Sequence, residues 1–133
     1  MKGDNSSNLI WKLVKRNLEI DIINGVYESG KKVPSINEVS AKYKIAYKTA
    51  KKVLDSMEED GVLLGKKGSG YFVRPYMGEK LKDDITEELE AELQETIQTA
   101  SKVLNESFLR NIIEKQIRLH YSTKEKKEVD TCE

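Results

Sequence analysis

The chain has 133 residues, 35% charged and 38% hydrophobic, and its 23 Lys/Arg balance its 23 Asp/Glu. That length fits one domain, or a small domain with an appendage, and the composition suits a modest core in water. No apolar run approaches the roughly 18 to 20 residues that span a bilayer, and Met1 to Asn8 lacks the apolar block of a signal peptide. A cytoplasmic location is therefore the expectation. The lone Cys132, in the polar stretch Ser122 to Glu133, excludes an intrachain disulfide and a thiolate metal cluster.

The zero net charge hides a division. Residues 1–75 hold 14 Lys/Arg against 9 Asp/Glu, and residues 76–133 hold 9 against 14. A basic first part is what neutralising phosphates requires, and an acidic second part would be repelled by a polyanion. Two solvated surfaces with a chance bias would look the same.

In chain order, Ile10, Trp11, Val14, Leu18 and Ile22 recur every three or four residues, which predicts an amphipathic helix from about Ser7 or Asn8 to Asn24-Gly25. After a linker at Tyr27 to Lys32, Val33-Pro34 is extended, because the residue before proline is pushed out of the helical region. Ser35 and Glu38 have the spacing of a capping box, opening a short second helix that ends near Tyr43. A third helix, Tyr47 to Asp60, has the apolar face Ala50, Val53, Leu54 and Met57, with Gly61 at its C-terminal cap. Its other face carries Lys48, Thr49, Lys51 and Lys52.

The tight connection Lys44-Ile45-Ala46 gives these two helices the spacing of a helix-turn-helix. Val62 to Leu64 and Tyr71 to Val73 then flank Gly65-Lys66-Lys67-Gly68-Ser69-Gly70, a glycine-rich hairpin with a basic tip. Helix, short strand, helix, turn, helix, hairpin is the order of a winged helix-turn-helix.

Pro75 marks a boundary between a winged domain over 1–75 and a second region over 76–133, and Tyr76 to Lys82 reads as a linker. From about Asp83 to Asn105, Ile85, Leu89, Leu93, Ile97, Ala100 and Leu104 form one apolar stripe with glutamates elsewhere. Glu106 to Tyr121 repeats the pattern with Phe108, Leu109, Ile112, Ile113, Ile117 and Tyr121, which makes a two-helix antiparallel hairpin. About 40 residues bury too little surface to stand alone. The same hairpin of a second chain would complete the core as a homodimer, and an intrachain cap on the winged domain is the alternative. The fold class is mainly α with a small β-hairpin.

No chemistry is legible. The glycines lack the strand before and helix after that a dinucleotide site needs, and the Gly-x-x-x-x-Gly-Lys-Ser/Thr of a phosphate loop. His120 has no partner and is read as structural or solvated. Nor is there a nucleophile with a neighbouring base or a metal-ligand spacing, so neither an enzyme, a cofactor nor a metal is expected.

From Gly30 to Val73 the chain resembles the DNA-binding domain of the GntR family of bacterial transcription regulators. The match rests on Pro34-Ser35, Thr49, Gly61-x-Leu63 and Gly68-Ser69-Gly70-Tyr71-Phe72-Val73, with Ile10-Trp11 and Ile22 to Gly25 fitting the first helix. The short two-helix remainder looks like the YtrA subfamily, in which those helices serve dimerisation. The resemblance implies a repressor that binds a pseudo-palindromic duplex and often acts on its own operon and neighbouring transporter genes. No effector pocket can be argued.

The family's reading positions carry over in part. Its arginine three residues after the proline is here Asn37, and the Ser-Arg pair opening its recognition helix is here Ala46-Tyr47. Two guanidinium forks are thus replaced by groups suited to adenine and to a sugar or thymine methyl. Lys51 matches a further basic position, and Lys66 and Lys67 match the wing tip that reaches the minor groove. Ser35, Asn37, Tyr47, Lys48, Thr49, Lys51, Lys52, Lys66, Lys67, Gly68, Ser69 and Gly70 are the candidate DNA-binding residues. A winged-helix protein-interaction module and a nonspecific nucleic-acid coater remain alternatives.

Overall fold

A computed structural model describes the backbone from Lys2 to Thr131 and the side chains from Leu9 to Ser122. Five helices and one two-stranded sheet follow in the order α1 (Lys2–Ile23), α2 (Ile36–Tyr43), α3 (Tyr47–Glu59), β1 (Leu63–Lys66), β2 (Gly70–Val73), α4 (Met77–Ser101) and α5 (Glu106–Thr131). Cys132 lies outside the described residues. The chain divides into two compact units, Met1–Thr86 and Glu87–Glu133.

The first unit is held by one apolar cluster: Val14, Leu18 and Ile22 of α1, Val39 of α2, Ala50, Val53, Leu54 and Met57 of α3, and Val33, Val62, Leu63, Val73 and Leu81 around them. The apolar face expected for the third helix is buried in full. Each of the Val, Leu, Ile and Met side chains contributes about 1.5–3 kcal/mol by leaving water. Lys15 of α1 adds a stitch across the surface, donating to Ser56 Oγ at 3.0 Å and Asp60 Oδ2 at 2.6 Å on the last turns of α3.

The strands pair antiparallel with Leu63 opposite Val73 and Lys66 opposite Gly70, each extending farther toward the tip than the apolar residues alone suggested. Backbone pairing continues on the other edge of β2. Gly30 N donates to Val73 O at 2.7 Å, Val73 N to Lys31 O at 2.9 Å and Val33 N to Tyr71 O at 3.0 Å. The linker before α2 is therefore tied to the wing.

Several helix boundaries differ from expectation: α4 stops at Ser101 rather than near Asn105, and α5 runs to Thr131 rather than to Tyr121. Helix α1 starts at Lys2 rather than near Ser7 or Asn8. More consequentially, the linker expected at Tyr76 to Lys82 is helical from Met77. Pro75 and Tyr76, the latter at φ 64°, make the whole turn. The reason is visible in hindsight: Met77, Leu81, Ile85 and Leu89 continue one stripe, and Leu81 is only 4% exposed in the winged unit's core, with Met77 packed against it.

Helix α4 ends at Ser101 and α5 begins at Glu106, where Asn105 Oδ1 accepts from the Phe108 amide at 2.9 Å. Among the described residues α4 and α5 do not pack extensively on one another. Of the stripe, Ile85, Leu104, Leu109, Ile112 and Ile113 are half-buried, whereas Leu89, Leu93, Ile97, Phe108, Ile117 and Tyr121 are 41–58% exposed. His120 is exposed too, with its ring edge-on to Tyr121 at 5.5 Å. No helix among the described residues is long and apolar enough to cross a membrane.

Candidate nucleic-acid interface

The helix-turn-helix is set by local bonds. Ser35 caps α2 through its Oγ, which accepts from the Glu38 amide at 3.1 Å, while Glu38 Oε1 accepts from the Ser35 amide at 3.2 Å. Hydrogen bonding to the Ser35 amide, then to the Ser35 side chain, lowers the Glu38 carboxyl below its usual value. At the other end Lys44 takes the left-handed conformation, φ 54° and ψ 50°. Ser40 then pins the turn, donating its hydroxyl to Ile45 O at 2.6 Å.

Ala46 opens α3 with extended angles, φ −62° and ψ 148°, and no side-chain bond to the exposed amides of the first turn. This is the uncapped start that the sequence implies. Ala46→Ser is expected to stabilise the protein by about 0.5–2 kcal/mol, read as a higher urea midpoint; an unchanged midpoint would mean that those amides are satisfied by solvent at no cost.

On α3, Lys48, Lys51 and Lys52 border a shallow depression of about 470 Å³ together with Trp11, Asp55, Ser56 and Glu59. Lys52 Nζ lies 4.7 Å from the Trp11 ring centroid, within cation–π range. Tyr47, 52% exposed, and Lys48 project from the first turn, Thr49 is half-buried, and Asn37 is exposed on α2. The structure thus brings Lys48, Lys51 and Lys52 onto one face.

The wing turns over Lys66 to Ser69, whose amide donates to Lys66 O at 2.8 Å. Gly68 sits in this turn at φ 80°, a left-handed position that costs other residues about 1–2 kcal/mol. Lys66 and Lys67 are exposed at the tip. Lys66 Nζ rests 4.7 Å from the Phe72 ring centroid, which keeps its stem against the strand.

Sequence reasoning missed what joins helix to wing. Asp55 Oδ2 accepts from Lys51 Nζ at 2.7 Å, and Oδ1 accepts from the Tyr71 hydroxyl at 2.8 Å. Glu58 Oε2 accepts from the Gly65 amide at 2.6 Å. A Cβ at Gly65 would fall on Glu58 Oε2, so the carboxylate would have to shift away from the Gly65 amide. The bonds from Lys51 and Tyr71 hold the Asp55 carboxyl below its usual value. Burial, then the Asp55 bond, pushes the Tyr71 phenol up to about 12, so it stays a donor. The only local hint was the four-residue spacing of Lys51 and Asp55.

Among the described residues no three His, Cys, Asp or Glu side chains gather as a metal site requires. A helix-turn-helix braced to a lysine-tipped wing is therefore the organised feature of this unit. Residues 12–73 match the family model "Bacterial regulatory proteins, gntR family". Those residues form a GntR-family domain.

Among curated proteins, this chain is 35% identical over 69 residues to the "Probable fructoselysine utilization operon transcriptional repressor" of Escherichia coli K12, covering 52% of this chain and 28% of that protein. It is 32% identical over 85 residues to the "Uncharacterized HTH-type transcriptional regulator YurK" of Bacillus subtilis, covering 64% and 34%. The chain thus spans about a third or less of the curated relatives' length. Among solved structures, a GntR family transcriptional regulator from Listeria monocytogenes has the same fold at a TM-score of 0.70 and 21% identity, over 80% of this chain and 93% of that one. These relatives are transcriptional regulators, not enzymes.

Proposed function

We propose that this chain is a cytoplasmic, homodimeric, sequence-specific DNA-binding repressor of the YtrA-like type, acting on its own operon and neighbouring transporter genes. The observation that carries the DNA reading is the lysine face of α3 held to a lysine-tipped wing within a GntR-family domain. In this reading α3 enters the major groove, with Tyr47, Lys48, Thr49, Lys51 and Lys52 at or near base edges and phosphates. Ser35 and Asn37 approach from the start of α2, and Lys66 to Gly70 reach the minor groove.

Support for the dimer comes from the apolar side chains of α4 and α5 that a single chain leaves exposed. Two copies would place recognition helices in successive major grooves, about 34–36 Å apart. Asn37 and Tyr47, in place of two arginine forks, favour A·T pairs at their positions.

Selection of bound sequences from random duplexes, with the mass of the complex measured alongside, tests site and symmetry together. The expected result is a pseudo-palindrome with half-sites about 10–10.5 base pairs apart, A·T-leaning where Asn37 and Tyr47 reach, bound by two chains. Guanine at both positions would sink the A·T reading. No enrichment of any sequence would leave a nonspecific coater, and no DNA binding at all an interaction module.

A further inference from the structure

A surface built only to grip phosphates has no use for carboxylates, yet Asp55 and Glu59 both border the lysine face of α3. Asp55 lines the same depression as Lys48, Lys51 and Lys52. One of its oxygens takes the Lys51 ammonium at 2.7 Å and the other takes the Tyr71 hydroxyl of β2 at 2.8 Å. A single side chain thus touches a candidate contact on the recognition helix and the second strand of the wing.

We infer that Asp55 is a specificity-determining residue of the DNA interface, keeping Lys51 from the backbone of unselected DNA and fixing the wing to the recognition helix through Tyr71. The inference rests on the DNA-binding reading above. The Lys51–Asp55 pair carries no net charge, and drawing Lys51 onto a phosphate leaves the carboxylate with the Tyr71 hydroxyl but no cation beside a polyanion. Nonspecific affinity comes almost wholly from neutralised phosphates, with a salt slope of about −0.9 per contact, so a cancelled lysine subtracts from it. At a fitting site, a base edge or a correctly placed phosphate compensates Lys51 for the lost pair. A cost levied mainly on wrong sites is how specificity is raised.

The test compares a pool of random-sequence duplexes with the duplex that selection returns. Asp55→Asn is expected to tighten pool binding about 5- to 10-fold near 0.1 M salt and to steepen its salt slope by about 1, with a smaller gain on the selected duplex. Lys51→Gln should leave the pool slope unchanged while weakening the selected duplex, and in the double variant the pool gain of Asp55→Asn should vanish. Tyr71→Phe, which keeps every charge, should weaken only the selected duplex.

Equal gains on both probes would reduce Asp55 to a change of net charge, and a pool slope shallower by about 1 in Lys51→Gln would make Lys51 an ordinary phosphate contact. Either result overturns the inference. Lys51→Gln keeps the Asp55–Tyr71 bond, so it decides the matter alone if Asp55→Asn does not fold. If the unmodified chain binds neither probe, the DNA reading falls and takes the inference with it; if it binds both, only the inference is at stake.

Discussion

Replacing Leu93 and Ile97 with aspartate should convert the protein to monomers and weaken binding to its selected duplex about 100- to 10,000-fold. In the single chain these side chains are 56% and 41% exposed on α4, one turn apart on the stripe that also holds Leu89. Leaving water on dimerisation stabilises each by a share of the roughly 1.5–3 kcal/mol that full burial of an aliphatic side chain contributes. A carboxylate in the same place reverses the sign, because burying an unpaired charge is costly. The two heads then lose their tether, and the second half-site must be found by free diffusion. Sedimentation velocity and a titration with the selected duplex read the two effects. The winged unit should be spared, since its core residues from Val14 to Leu81 include neither position. A double variant that sediments as a dimer, or a monomer that binds the palindrome undiminished, would discard the dimer reading.

What could be read from residues alone was mostly local. The capping box of Ser35 and Glu38 and the buried face Ala50, Val53, Leu54 and Met57 depend on spacings of three and four, which a linear sequence displays directly. So does the uncapped Ala46. The misread stretch at Tyr76 to Lys82 failed for a related reason: Met77 and Leu81 belong to the stripe, but the polar residues between them and Pro75 before them suggested a loop. The candidate lysines were visible as charges, whereas their partners were not. Asp55 and Tyr71 are 16 residues apart, and Glu58 meets the Gly65 amide across the turn after α3. Only the folded hairpin brings those atoms together. The backbone bonds from residues 30–33 to β2 are partly such a case: Val33-Pro34 reads as a short extended piece, but nothing local says which strand it joins.

Removing the wing's charge should change the salt dependence more than any single change on α3. With Lys66 and Lys67 both replaced by alanine, the slope of log affinity against log salt should become shallower by about 2, and affinity near 0.1 M salt should fall roughly 10- to 100-fold. Lys51 is paired with Asp55 at 2.7 Å, so its ammonium must give up an ion pair to meet a phosphate, whereas Lys52 over Trp11 and Lys66 over Phe72 each give up a ring contact at 4.7 Å. Asn37 and Tyr47 supply no cation where the resembling family has arginine. Lys66 and Lys67 stand exposed at a tip whose backbone is fixed by the Lys66–Ser69 turn and by Glu58. Lys102 and Lys115, both replaced by alanine, remove the same charge outside the winged unit. They are the control for long-range electrostatics and should move the slope by less than half as much. A wing that serves only to cover the core would leave the slope in place. In that case the phosphate contacts would have to come from Lys48 and the other helix lysines, and the pairing of Lys51 with Asp55 would have to break on all DNA alike.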